Sequence, residues 1–117
     1  MSYSVGLGTL TASTSNGNSG DLRNEGGRGV HVVVDITAIT AGSLTVTVEG
    51  KDSPSGKYYT LLASAALGST GTTVLKVFPA ATASANVAAN DMVPHFWRVK
   101  WVVATGPVTA TIGASLV

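Results

Sequence analysis

The chain has 117 residues, of which 44% are hydrophobic, 6% aromatic and only 11% charged, where an ordinary soluble domain carries about 25% charged residues. Seven basic and six acidic residues leave a net charge of +1, and there is no cysteine. These figures exclude a disordered chain, a coiled coil, a disulfide framework and a thiolate metal site, and the length fits one domain. With no basic excess to neutralise phosphates, no direct nucleic-acid partner is expected. No apolar run approaches the roughly 18 residues of a membrane span, and the opening Met-Ser-Tyr-Ser-Val-Gly lacks the features of a targeting segment, so neither is expected.

In chain order, residues 1–12 read as an N-terminal strand or arm, with a weak strand over Val5 to Leu10. Residues 13–29 are rich in Asn, Gly and Ser and read as a flexible polar loop carrying Asp21, Arg23, Glu25 and Arg28. Such a segment costs entropy to order, and it is expected to order against another subunit. Residues 30–117 read as the core of the domain. Val30, Val32, Val34, Ile36 and Ala38 form one apolar face at period two, the signature of a half-buried strand. Leu44, Val46 and Val48 repeat the pattern, and the short Thr40–Ser43 link predicts that the two strands form a hairpin.

Asp52–Gly56 is a turn by composition, followed by a strand over Tyr58 to Leu62. Another strand runs from Thr72 to Phe78, and Ala80 to His95 reads as an extended crossover rather than a helix. In Phe96 to Val103, Trp97, Val99, Trp101 and Val103 share one face while Arg98 and Lys100 share the other. Val108 to Leu116 alternates once more, with Ile112 central. About seven antiparallel strands and no long helix predict an all-β, single-domain sandwich or jelly roll. Its expected core contains Val32, Val34, Ile36, Leu44, Val46, Val48, Trp97, Val99, Trp101 and Ile112.

Constellations for chemistry are sparse. His31 and His95 have no nucleophile or orienting carboxylate in a recognised neighbourhood, and there is no G-x-S-x-G elbow, so no catalytic residue is nominated. Asp52 has no second carboxylate in its loop, and Asp21 and Glu25 have Arg23 and Arg28 as simpler local partners, so no metal or cofactor is expected. Arg98 and Lys100 lie on the opposite face from the tryptophans, which defeats a stacking groove for single-stranded nucleic acid. With Asp21, Arg23, Glu25 and Arg28 they are the candidate subunit contacts. A carbohydrate-binding module on the same fold would need exposed aromatics, for which Tyr58, Tyr59 and Phe78 are the candidates.

The runs Gly29-Val-His-Val-Val-Val-Asp-Ile-Thr, Leu44-Thr-Val-Thr-Val-Glu-Gly-Lys-Asp, Ser55-Gly-Lys-Tyr-Tyr-Thr-Leu-Leu-Ala-Ser and Asn90-Asp-Met-Val-Pro-His-Phe-Trp-Arg-Val resemble small virion proteins of tailed bacteriophages, over roughly residues 28–116. The resemblance is to capsid decoration (cement) proteins, with a tail or head-fibre component as the alternative. It implies a place on the capsid surface of the virion after synthesis in the host bacterial cytoplasm. The implied partners are the major capsid protein and further copies of the chain, as a homotrimer in preference to a homodimer. The implied role is mechanical: the protein would bridge capsid subunits and so stabilise the assembled head.

Overall fold

The computed structural model describes residues 3–24 and 28–116, residues 3–5 in backbone only. Glu25, one of the expected contacts, lies outside the described residues. Among the described residues ten strands follow one another: β1 (Tyr3–Ser13), β2 (Gly17–Asn18), β3 (Leu22–Arg23), β4 (Val30–Ile39), β5 (Gly42–Lys51), β6 (Tyr58–Ala63), β7 (Gly71–Phe78), β8 (Ala88–Asn90), β9 (Phe96–Thr105) and β10 (Val108–Leu116). The first sheet has the order β1-β10-β4-β7-β8; the second has β2-β9-β5-β6, with β3 also on β9. The fold is all-β, two sheets packed as a sandwich, and no helix occurs among the described residues.

Alternation builds the interior. Val30, Val32, Val34 and Ile36 of β4, Leu75 and Val77 of β7, and Val108, Ala110, Ile112, Ala114 and Leu116 of β10 turn inward from the first sheet. Leu44, Val46 and Val48 of β5 and Trp97, Val99 and Val103 of β9 answer them from the second. Each fully buried Val or Leu contributes about 1.5–3 kcal/mol over an exposed one, so this double row supplies the main driving force. Trp101 is only half-buried and packs on the core from the side. Its ring leaves no room for a Cβ at Gly8 of β1 (2.7 Å) or Gly17 of β2 (2.9 Å). It therefore seals the flank where an edge of the first sheet meets an edge of the second.

Four features depart from the sequence expectation. First, β4 and β5 are not a hairpin: β4 pairs with β10 and β7, and β5 with β9 and β6. Their apolar faces oppose each other across the interior, so both bury completely. The corner depends on Gly42, which has φ of +76° and where a Cβ would stand 1.7 Å from the Ala104 carbonyl oxygen. Second, residues 3–13 form a full strand of the first sheet, paired with β10 from Tyr3↔Leu116 to Ser13↔Val108 with register shifts after Gly6 and after Leu10, so the core does not begin at residue 30. Third, the described polar residues 14–24 that follow it run along their own chain, with β2 and β3 on β9. Fourth, the extended 80–95 crossover contains β8, which runs parallel to β7.

Candidate functional site

The polar residues of 13–24 act as caps for a sheet edge. The Val103 amide donates to Asn16 Oδ1 (2.9 Å) and the Val99 amide to Ser19 Oγ (3.0 Å). In return the Ser19 amide donates to the Val99 carbonyl and the Asn24 amide to the His95 carbonyl, both at 2.8 Å. Backbone groups of a central strand need partners, and here short polar side chains supply them where a further strand would otherwise add.

A second device clamps this segment across the outer face of the second sheet. Lys51 Nζ donates to Asp21 Oδ2 at 2.6 Å, and the Tyr58 hydroxyl donates to Asp21 Oδ1. These two hydrogen bonds, the lysine's first, hold the Asp21 carboxyl below the ordinary carboxylate range, and the same contact holds the Lys51 ammonium above its usual value. The Arg98 guanidinium lies 3.5 Å from the centre of the Tyr58 ring, within cation–π range. Arg98 Nε also donates to Glu49 Oε1 at 2.7 Å, and Lys100 Nζ stands 3.3 Å from Glu49 Oε2. Glu49 is buried although it points outward, because β9 places Arg98 directly opposite it and Lys100 diagonally across.

Of the expected contacts, the structure thus brings Asp21, Arg98 and Lys100 into one network. The local pairing of Asp21 with Arg23 or Arg28 is replaced by Lys51 and Tyr58. Arg23 sits in β3 opposite Phe96. Arg28 lies apart from the network, beside His31, Phe78 and Pro79. Glu49, Lys51 and Tyr58 were missed as members. The signal available was their face: Glu49 and Lys51 alternate with the buried Val46 and Val48, and the β5–β6 turn sets Lys51 opposite Tyr58. Tyr58 is engaged by Asp21 and Arg98, whereas Tyr59 stacks on Gly50 at the other side of the strand and remains 47% exposed.

The first sheet presents a different surface. No charged residue precedes Asp21 or follows Lys100. The two ends of the chain, β1 and β10, pair with each other. The β1–β10 side of the first sheet is therefore free of charged side chains. Its outer face carries a shallow groove of about 590 Å³ lined by Gly6, Leu7, Gly8, Thr9, Val33, Thr111, Ile112 and Gly113. The glycines lower the floor, and Thr9, Thr111 and Val33 are exposed on it. Charge returns on the β4–β7 side of that face with Asp35 and Lys76.

No group of three or more His, Asp or Glu side chains is placed to hold a metal ion among the described residues. No helix of the described residues is long and apolar enough to cross a membrane. What the geometry offers is one self-satisfied charged face and one grooved face whose β1–β10 side carries no charged side chain. Comparison with protein-family models, with curated proteins and with solved structures finds no match for this chain.

Proposed function

We propose that the chain is a structural protein of a tailed-phage virion, a decoration protein that docks on the outside of the assembled head and bridges its subunits. The observation that carries this reading is the uncharged β1–β10 face. Interfaces that persist are poorer in charge than free surface, and burying Gly, Thr and Val leaves no unpaired ion behind. A free monomer is better served by a surface with about 25–35% charged residues. The resemblance of residues 28–116 to small virion proteins supports the same reading and supplies the particle. Binding only the assembled shell shifts the equilibrium towards the intact head by mass action.

The test uses purified heads that lack the protein. Adding the wild-type chain should load many copies per head and raise survival of heat and low salt. Thr111→Lys places a charge in the groove at an exposed position and should abolish loading while the isolated protein keeps its thermal stability. Equal survival of bare and decorated heads would refute the stabilising role. A stoichiometry of a few copies per particle would transfer the chain to a tail or fibre.

A further inference from the structure

At the β4–β7 end of the first sheet lies a cavity of about 290 Å³ lined by Arg28, His31, Phe78 and Pro79. Its walls are held in place. The Val93 amide donates to the Arg28 carbonyl at 3.1 Å. Gly29 brings the backbone so close to β7 that a Cβ there would stand 2.2 Å from the Val77 carbonyl oxygen and 2.5 Å from Phe78 Cβ. The tight passage sets Arg28 beside the phenyl ring. His31 meets that ring from β4, with centroids 6.0 Å apart, and Lys76 stands opposite His31 in the sheet.

Among the described residues, Lys51, Arg98 and Lys100 all have carboxylate partners, whereas no carboxylate forms an ion pair with Arg28, His31 or Lys76. A guanidinium matches a planar carboxylate through paired N–H donors. The phenyl and proline walls add apolar surface that a bare inorganic anion does not use. The volume sits at the small end of ligand pockets, about 300 Å³, which suits a ring-sized group.

We propose that this cavity receives a carboxylate carried on an apolar stem, an acidic side chain or chain end of the partner protein. The identity of the source rests on the assembly reading above. The pocket itself does not, because it lies outside the uncharged groove and its chemistry can be read with a fragment.

The experiment titrates the full-length protein with benzoate and follows the His31 and Phe78 ring resonances by NMR. Saturable shifts at both rings are expected with benzoate. Benzyl alcohol, which has the stem without the charge, and inorganic phosphate, which has charge without the stem, should give none. Arg28→Gln, at an exposed position, should weaken benzoate by about tenfold, the loss expected for one charged hydrogen-bonding group. The same variant should load bare heads more weakly than wild type. Failure of benzoate to bind, or equal binding of phosphate or benzyl alcohol, overturns the pocket and leaves docking through Thr111 untouched. Benzoate binding with full loading of Arg28→Gln overturns the partner as the source. Loss of loading in Thr111→Lys remains the separate measure of the assembly reading.

Discussion

Gly42→Ala tests the corner that throws β5 into the opposite sheet from β4. Gly42 has φ of +76°, and a Cβ would stand 1.7 Å from the Ala104 oxygen and 2.7 Å from Thr105 Cβ. Left-handed backbone costs an L-residue about 1–2 kcal/mol, and forcing atoms into filled space adds about 1–3 kcal/mol. The variant should therefore lose about 2–5 kcal/mol of a total that is about 5–15 kcal/mol for such a domain. Gly56→Ala is the control: its φ is +72°, but nothing lies within 4 Å of the added carbon, so only the backbone cost of about 1–2 kcal/mol applies. Any gain from stiffening the unfolded chain is common to both variants and cancels in the comparison. Thermal unfolding followed by tryptophan fluorescence should show Gly42→Ala melting lower than Gly56→Ala, by about 4 °C for each kcal/mol between them. Equal melting points would refute the close approach of Gly42 to β9, and with it the sheet-switching corner.

Three further outcomes follow from the same contacts. Glu49→Gln removes the anion shared by Arg98 and Lys100 and should cost about 1–3 kcal/mol in urea unfolding, below the 3–5 kcal/mol of a fully buried pair because both cations are partly exposed; Lys100→Gln, at the more exposed end, should cost less than about 1 kcal/mol. Asp21 has a folded pKa below its unfolded value, so the clamp's contribution is present above the ordinary carboxylate range and is lost as pH falls through the depressed value. The Ser19 and Asn24 amide resonances should report that acid step, and Asp21→Asn should remove it. Because the chain has no cysteine, single cysteines at Thr60 and Thr111 can be labelled cleanly; on loaded heads Thr111→Cys should be protected from a maleimide and Thr60→Cys should react as in free protein.

Alternation in the sequence carries a side chain's face but not the neighbour of its strand. The inward set from Val30 to Ile36 and from Leu44 to Val48 was therefore legible, as was the separation of Arg98 and Lys100 from the tryptophans. The partner of each strand was not. A two-residue link before Gly42 suits a hairpin as well as a corner, and the choice is made by β9 and β10 near the far end of the chain. Polar composition marked residues 13–29 as a loop, but Asn16 and Ser19 act as caps only because β9 has amides left over at Val103 and Val99. Glu49 was readable as outward-facing; its burial depends on Arg98, 49 residues away. The groove arises in the same way, since Gly6 and Gly113 meet only when the two ends of the chain pair.

The two outer faces differ in what burial against a partner would do to them. On the second sheet Glu49, Arg98, Lys100, Asp21 and Lys51 already satisfy one another, so a covering protein would remove water from five charged groups without offering them better partners. On the β1–β10 half of the first sheet the same contact would exclude water from Gly, Thr and Val, at little electrostatic cost and with some apolar gain. Among the described residues, the corner at Arg28 adds a place beside that half where a cation without a carboxylate partner stands next to a cavity. A flat uncharged patch supplies area but little orientation, whereas a charged pocket at its margin selects one register by penalising every placement that leaves the guanidinium buried and alone. Docking by the first sheet, with the charged face of the second turned to solvent, would satisfy both faces at once, and the reverse orientation would satisfy neither.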